Sequence, residues 1–343
     1  MISSRKGDIV IKLKLEEREN EKLVSLNAKM YAFVEEPRGV REKFWLIQAK
    51  SKFFKVNLKD SNILFKYNRN DVSCENWGEI IACRVAKQID LPCVDYFLAE
   101  YEHNGSVDFG VACGTYKRNE NEIELSAHDV QIMYSDYVEN INTVDDIVNK
   151  LITIVPEDKD SRFYYQSLRN SMIKQCIFDF ILAQTDRHWF NTTFLAYSRE
   201  NVFNIRMAES YDNGCIAFLK RKISAIEGIS REILKQGKSS VRLHELLDEY
   251  VPMMGITTST VQLNKSKGED ELKKLKVVKS RRDVFLNELT NEILTNPEIA
   301  VFYANLKNHL NLDAIAYSME INKEPIPKPV LDMVKIVSNI YIR

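Results

Sequence analysis

Several features that often reveal a protein's class are missing from this 343-residue sequence. It has no apolar run of about 18 residues, which argues against a membrane-spanning helix. The N-terminus has mixed charge rather than an apolar core, so we expect no secretory signal peptide. The net charge is −1, and no overall field favours nucleic acid or acidic membranes. We therefore expect a cytoplasmic protein, with secretion as an effector by another route left open.

The six cysteines do not form a metal-binding or redox motif. No pair has Cys-x-x-Cys spacing, and no Cys/His cluster has the spacing of a zinc site. Cys83, Cys113 and Cys176 lie in apolar surroundings, so buried, reduced thiols are expected. A Gly-x-Gly-x-x-Gly phosphate loop and internal repeats are also missing.

The order of sequence patterns predicts an α+β fold in two lobes. The composition, 45% hydrophobic and 28% charged, is that of an ordinary globular protein. We predict a strand-rich small lobe over residues 1–130 and a helical large lobe over 131–343, with a ligand-binding cleft between them. The small lobe has one key helix, from about Cys74 to Ile89. Its predicted strands are 30–34, 43–48, 63–67, 94–101 and 107–116.

Helical periodicity dominates from about residue 140. Thr143 is the expected N-cap of one helix, and a long apolar face predicts another over 161–183. Later helices are predicted near 240–250, 283–294, 297–309 and 328–341. The lysine-rich segment 264–282 is either a docking patch for an acidic partner or a solvated loop, and the loop is the favoured interpretation.

The stretch Thr185–Gly214 carries the strongest chemical signal. Asp186 precedes Asn191 by five residues, and Asp212 follows after a predicted hairpin over 193–207. Transfer of a phosphoryl group from ATP needs a carboxylate near the attacking hydroxyl, together with oxygen ligands for Mg²⁺. We predict Asp186 as the catalytic base, and Asn191 and Asp212 as ligands of Mg²⁺. The alternative is that both aspartates are only helix-end and turn residues.

A cation for the nucleotide phosphates is expected from the small lobe. Lys66 ends an apolar strand and is the candidate for gripping the α- and β-phosphates. Glu75 and Glu79, on the following helix, could each hold this lysine. Glu79 is preferred because it lies on the small-residue flank of the helix. An exposed lysine at a strand end is the alternative.

Weaker candidates complete the nucleotide site. Gly39, Arg41 and Lys43 form a possible phosphate loop, which alone would be interpreted as a surface turn. His188 is a candidate either for acid/base chemistry or for ordering its loop by hydrogen bonding, and it is counted here with the nucleotide-binding residues. The tripeptide Asp108–Gly110 spells a kinase metal motif, but its place inside a strand pattern excludes that role.

Together these motifs resemble those of the HipA-like serine/threonine kinases. This bacterial toxin-type family is related in fold to eukaryotic protein kinases and phosphatidylinositol kinases. The resemblance covers most of the chain, from about Gly39 to the C-terminal helices. It implies ATP and Mg²⁺ as cofactors, a protein substrate, and adenine binding by backbone groups near Thr115 and Tyr116. The motifs that carry it are Gly39–Lys43, Leu64–Lys66, Glu79, Thr185–Asn191 and Tyr211–Gly214.

The chain departs from the family pattern at three points. Only 38 residues precede Gly39, whereas longer members have an additional N-terminal subdomain, so docking of an antitoxin-like or regulatory partner is left open. A hairpin is expected to be added around 52–60. Glu36 occupies the position where toxin-type members carry an autophosphorylated serine. We therefore hypothesise that inhibition by this autophosphorylation is absent.

Two other functions stay open at this point. A kinase for phosphatidylinositol or another small hydroxylated molecule is the runner-up, because Asp-Arg-His-x-x-Asn also occurs in phosphatidylinositol kinases. A nucleotide-binding pseudokinase is the third interpretation. It is disfavoured because Lys66, Asp186, Asn191 and Asp212 are all present.

Overall fold

The computed structural model describes most of the predicted catalytic half of the chain and part of the N-terminal region. The described residues are 10–14, 23–27, 31–35, 43–48, 62–67, 73–103, 106–118, 121–133, 143–199, 202–249, 256–257, 271–321 and 326–342. Gly39, Arg41, Glu36 and the hairpin predicted around 52–60 lie outside them.

A seven-stranded antiparallel sheet forms the first part of the fold. Its strand order is β2-β1-β6-β7-β5-β4-β3. The last five strands in chain order are those that the sequence predicts, whereas β1 and β2, whose polar residues interrupt short apolar patterns, were missed. The strands are β1 Val10–Lys14, β2 Leu23–Asn27, β3 Tyr31–Glu35, β4 Lys43–Gln48, β5 Asn62–Tyr67, β6 Tyr96–His103 and β7 Ser106–Cys113.

The predicted key helix, α1 (Glu75–Gln88), follows β5 and packs against β6 and β7. Its apolar residues Ile80, Ile81 and Val85 are buried, as expected for a helix that covers a sheet. Gly110 of the Asp-Phe-Gly tripeptide lies inside β7, as the sequence predicts. A Cβ atom at Gly110 would lie 2.2 Å from the carbonyl oxygen of Lys66, so this glycine allows β7 to approach β5 closely.

A second sheet of three strands holds the predicted hairpin. The hairpin consists of β9 (Thr193–Arg199) and β10 (Val202–Met207), which pair antiparallel. The third strand, β8 (Ile123–Ser126), pairs with the other edge of β9. This sheet joins strands from both sides of the predicted lobe boundary, because β8 lies before residue 130 and β9 lies after it. The division of the chain at residue 130 stays a prediction.

Helices make up most of the remaining described chain, and the predicted mixed α+β fold is confirmed. Thr143 caps α3 through a reciprocal capping box with Asp146. None of the described helices has the length and apolar character needed to cross a membrane. The helices are α2 Ala127–Met133, α3 Val144–Ile152, α4 Ser161–Ile181, α5 Ile223–Gln236, α6 Val241–Glu249, α7 Glu271–Thr295, α8 Pro297–His309, α9 Leu312–Ile321 and α10 Lys328–Tyr341.

Two sequence expectations about these regions have clear outcomes. The favoured loop interpretation of segment 264–282 is wrong from Glu271 onward, because α7 begins there. Leu272, Leu275 and Val278 recur every three residues between the lysines, and this period suits a helix. All six cysteines are free thiols, and all except Cys93 are buried, as predicted.

Candidate active site

Lys66 and Glu79 form a buried ion pair between β5 and α1. The Nζ atom of Lys66 donates to Glu79 Oε1 at 2.6 Å, and the two side chains are only 4% and 0% exposed. The other carboxylate oxygen of Glu79 accepts from the backbone N–H of Asn213 at 2.7 Å. Glu79, rather than Glu75, therefore connects the lysine to the loop that carries Asp212.

Tyr96, at the start of β6, completes the surroundings of Lys66. Lys66 Nζ donates to the Tyr96 hydroxyl at 3.2 Å and lies 5.1 Å from the centre of its ring. The same hydroxyl accepts from the backbone N–H of Asp212 at 3.3 Å. Burial raises the pKa of Tyr96 well above its ordinary value, so the hydroxyl stays neutral. Sequence reasoning missed this residue, because a tyrosine in an apolar strand carries no distinguishing signal.

Asp212 lies against Lys66, with Nζ 2.7 Å from its Oδ1. Burial opposes ionisation of this carboxyl, but the charge and hydrogen bond of Lys66 outweigh it. Together with the more distant charges of Lys43 and Arg187, they hold the pKa of Asp212 well below its usual range. Lys43 lies on β4 directly opposite Lys66 in the strand register. Asp212 is therefore a permanently charged carboxylate at the pH of a cell.

Backbone geometry at this loop differs from the sequence expectation. The sequence predicts that Asn213-Gly214 supplies the freedom to turn, but it is Asp212 that adopts a left-handed φ of 55°. Gly214 instead lies in a tightly packed place, where a Cβ atom would lie 3.0 Å from the carbonyl oxygen of Glu75. A Cβ atom at Gly78 of α1 would lie only 2.2 Å from the carbonyl oxygen of Gly214, so the helix and the loop are in backbone contact.

Asp186 follows α4, after a residue with left-handed backbone at Ala183 (φ 45°). Its side chain is 42% exposed, and Lys220 Nζ lies 3.9 Å from its Oδ2. Gln184, which the sequence analysis did not single out, is buried between the two functional loops. Its Oε1 accepts from the Asp186 N–H at 3.3 Å, and its Nε2 donates to the Asp212 carbonyl at 3.2 Å. Gln184 therefore fixes the backbone of Asp186, whose carboxylate is exposed, relative to the backbone of Asp212.

Arg187 is the principal connection between these loops. This buried guanidinium binds Asp179 of α4 through two nitrogens, at 3.0 and 3.2 Å. Its Nη1 donates to the carbonyl oxygens of Asn191, at 2.9 Å, and Tyr211, at 2.8 Å, and its Nη2 donates to Asn213 Oδ1. Burial raises the pKa of Asp179, and the charge of Arg187 opposes this rise. Arg187 was present in the predicted motif without an assigned role.

Asn191 is oriented by its own loop. Its Nδ2 donates to the Asp186 carbonyl at 3.0 Å, and its N–H donates to the His188 carbonyl at 2.8 Å. Because one Arg187 nitrogen binds both Asn191 and Tyr211, Asn191 lies beside the residue that precedes Asp212. Among the described residues no group of three His, Cys, Asp or Glu side chains could hold a metal ion. An amide oxygen and one ionised carboxylate nevertheless suit Mg²⁺, which takes its other ligands from phosphates and water.

The side chain of His188 makes none of the loop-ordering hydrogen bonds, among the described residues, that one interpretation of the sequence predicts. Its Nδ1 is buried and has no hydrogen-bond partner in the part of the chain that the structure describes. The ring instead makes an edge contact with Phe190, with centres 6.0 Å apart. Arg187 supplies the ordering contacts, because a guanidinium offers five donors where an imidazole offers at most two.

The predicted adenine-binding segment lies close to Tyr211, which precedes the predicted metal ligand Asp212. The Tyr116 ring stacks on Tyr211, with centres 4.9 Å apart, and burial raises the pKa of Tyr211 to about 12. The Tyr116 carbonyl accepts from Arg206 Nη2 at 2.9 Å. Thr115 Oγ1 accepts from the Lys117 N–H at 3.1 Å. Within this segment, the Tyr116 carbonyl therefore already accepts a hydrogen bond from Arg206.

Comparison with known proteins yields structural likeness only. No family model matches the chain, and no curated protein matches it. CtkA, a proinflammatory kinase of Helicobacter pylori, is 13% identical with a TM-score of 0.46, over 91% of this chain and 97% of that one. HipA, solved with HipB and operator DNA from Shewanella oneidensis, is 12% identical with a TM-score of 0.40, over 90% of this chain and 63% of that one. HipA gives its name to the family that the sequence motifs resemble. Since these identities and TM-scores are low, the proposed function rests on the geometry of the site.

Proposed function

We propose that this chain is an ATP- and Mg²⁺-dependent kinase that phosphorylates the hydroxyl of a protein serine or threonine. The observation that carries the proposal is the position of Lys66. It lies within hydrogen-bond distance of both Glu79 and Asp212, while Arg187 binds the loops of Asn191 and Asp212 together. A lysine held by a helix glutamate beside a metal-binding aspartate is the arrangement used in phosphoryl transfer.

The proposed reaction uses Asp186 as the base. An acceptor hydroxyl donates its proton to the exposed Asp186 carboxylate as its oxygen bonds to the γ-phosphorus of ATP. The bond between that phosphorus and the bridging oxygen breaks, and ADP leaves with the electron pair. Base assistance of this kind contributes about 10²–10⁴ in rate.

The remaining residues hold and neutralise the nucleotide. Lys66 would bind phosphate oxygens as a buried, fixed positive charge, which acts more strongly in a site shielded from water. Asn191 and Asp212 would hold Mg²⁺, which supplies neutralisation of the phosphate charge. Lys43 adds a second positive charge on the neighbouring strand. Gly39 and Arg41 remain predicted parts of a phosphate loop, and His188, Thr115 and Tyr116 remain predicted nucleotide contacts.

Two alternative functions differ from the proposed one. One is a kinase with another acceptor, and the other is a pseudokinase that binds a nucleotide without catalysing phosphate transfer. A pseudokinase would need no base, yet Asp186 is exposed and held beside the other site residues. A lipid or other small hydroxylated acceptor stays the second candidate. The HipA-like resemblance supports a bacterial, cytoplasmic setting, and docking of a regulatory, antitoxin-like partner stays open.

Phosphate transfer to general acceptors tests the proposal. Wild-type protein, Asp186→Asn and the exposed surface variant Asp158→Asn would be incubated with radiolabelled ATP, Mg²⁺ and either casein, histone or phosphatidylinositol vesicles. We expect transfer to protein by the wild type and Asp158→Asn, and a rate for Asp186→Asn lower by about 10²-fold or more. Transfer only to vesicles would favour the lipid kinase, and no transfer by any form would contradict the kinase proposal.

A further inference from the structure

A run of three basic residues, Lys220–Lys222, lies beside the proposed catalytic base. Lys220 Nζ is 3.9 Å from Asp186 Oδ2, and the Lys220 side chain is 62% exposed. Lys222 is also exposed. The acceptor hydroxyl must approach Asp186, so residues next to that hydroxyl in an acceptor come within reach of this basic run.

The backbone before the basic run is held in a disfavoured conformation. Ala217 and Phe218 are consecutive left-handed residues, with φ of 45° and 61°. The Ala217 N–H donates to the Leu182 carbonyl at 2.7 Å, and the Leu219 carbonyl accepts from the Cys74 N–H at 2.8 Å. Such backbone persists only where the surrounding structure imposes it, and it is concentrated at functional sites. The run is therefore positioned by the fold.

The charges at the two ends of the run, Lys220 and Lys222, are only weakly neutralised by the described residues. At 3.9 Å, the contact between Lys220 and Asp186 is long for an ion pair and lies at the surface. Lys222 makes no ion pair with any described residue, and the first turn of α5, which follows it, has no acidic side chain. Arg221 packs its guanidinium against the Phe218 ring at 5.6 Å, which restrains the middle of the run.

We propose that the basic run binds an acidic acceptor segment, that is, a serine or threonine flanked by aspartate or glutamate. This inference rests on the proposed kinase function and adds the class of its substrate. A polypeptide is favoured over a membrane because the apolar residues before the run, Ala217, Phe218 and Leu219, are buried. A membrane-docking surface would expose such residues.

Three peptides that differ only in their flanking residues test the inference. Each carries one serine, flanked by aspartate and glutamate, by alanine, or by lysine, and kcat and KM are measured separately for each. For the wild type we expect the lowest KM with the acidic peptide. Lys222→Glu should raise that KM about fivefold, in line with the strength of exposed ion pairs. The same variant should lower the KM for the lysine-flanked peptide. The control variant Lys235→Glu, at the far end of α5, should leave the ranking of the three KM values unchanged.

The outcomes separate this inference from the proposed function. Equal KM values for the acidic and alanine peptides would overturn the inference and leave the kinase function standing, as would equal effects of Lys222→Glu on all three peptides. Transfer to phosphatidylinositol vesicles but to no peptide would overturn it in favour of a lipid acceptor. No transfer to peptides, casein, histone or vesicles would remove the kinase function and the inference together.

Discussion

Glu79 binds Lys66 with one carboxylate oxygen and the backbone N–H of Asn213 with the other, at 2.6 and 2.7 Å. One buried side chain on α1 therefore binds both Lys66, the proposed phosphate-binding residue, and the loop of Asp212, the proposed metal ligand. Because both contacts come from α1, this helix helps to place Lys66 and the Asp212 loop, which also meet directly through the Lys66–Asp212 contact of 2.7 Å.

Replacement of Glu79 by glutamine should impair both stability and activity. The variant leaves Lys66 buried without its closest counter-charge, and breaking a buried ion pair from one side costs about 3–5 kcal/mol. Because Asp212 still neutralises part of this charge, we expect the lower end of that range in chemical denaturation. Glu75→Gln is the matched control, since the Glu75 carboxylate contacts the Cys215 thiol at 3.6 Å rather than Lys66. Equal losses in the two variants would contradict the assigned role of Glu79.

Replacement of Gly78 by alanine should separate α1 from the Asp212 loop. The new methyl group would overlap the Gly214 carbonyl, and overpacking of this kind costs about 1–3 kcal/mol. We expect a lower unfolding temperature and a larger loss in kcat than stability alone explains. Gly228→Ala in α5 is the control, because nothing lies within 4 Å of the added atom there. This control should be neutral or stabilising by up to about 1 kcal/mol, and a similar result for Gly78→Ala would refute the close contact.

Replacement of Arg187 by lysine should disorder the proposed catalytic loop, residues 186–191, although the positive charge is kept. A lysine cannot reproduce the guanidinium fork that reaches Asp179, the Asn191 carbonyl and the Tyr211 carbonyl together. We expect faster hydrogen exchange at the amides of residues 186–191 and 211–214, and a loss of phosphate transfer. Arg231→Lys is the control, since that arginine is exposed and pairs with Glu227 within α5. Unchanged exchange in Arg187→Lys would show that the loop is ordered by other contacts.

The low pKa of Asp212 predicts a defined pH dependence of stability. A group whose pKa is lower in the folded than in the unfolded protein stabilises the fold above its unfolded pKa, here near 3.8. This contribution is lost as pH falls from that value through the folded pKa. The difference in unfolding free energy between wild type and Asp212→Asn should therefore be constant from pH 8 to about pH 5 and change only below about pH 4. A change centred near neutral pH would contradict the Lys66–Asp212 contact.

Local patterns sufficed to predict the elements that carry the site. The strand of Lys66, the helix of Glu79 and the hairpin before Asp212 were all predicted, because each follows from periodicity over a few residues. The backbone contact between Gly78 and Gly214 was not predictable, since it joins residues distant in sequence. The contacts of Tyr96 and Arg187 were not predictable for the same reason. The sequence predicts the turn at Asn213-Gly214, whereas the left-handed residue is Asp212, because this conformation depends on partners that are distant in sequence.

Mg²⁺-dependent binding of ATP, measured by calorimetry in wild type, Asp212→Asn and Asp186→Asn, tests the central claim most directly. If Lys66, Asn191 and Asp212 form one nucleotide–metal site with Asp186 as its base, Mg²⁺ should strengthen ATP binding to the wild type. Asp212→Asn should lose this Mg²⁺ effect, whereas Asp186→Asn should keep it and lose only phosphate transfer. Equal Mg²⁺-dependent binding in all three proteins, or no ATP binding by the wild type, would contradict the account.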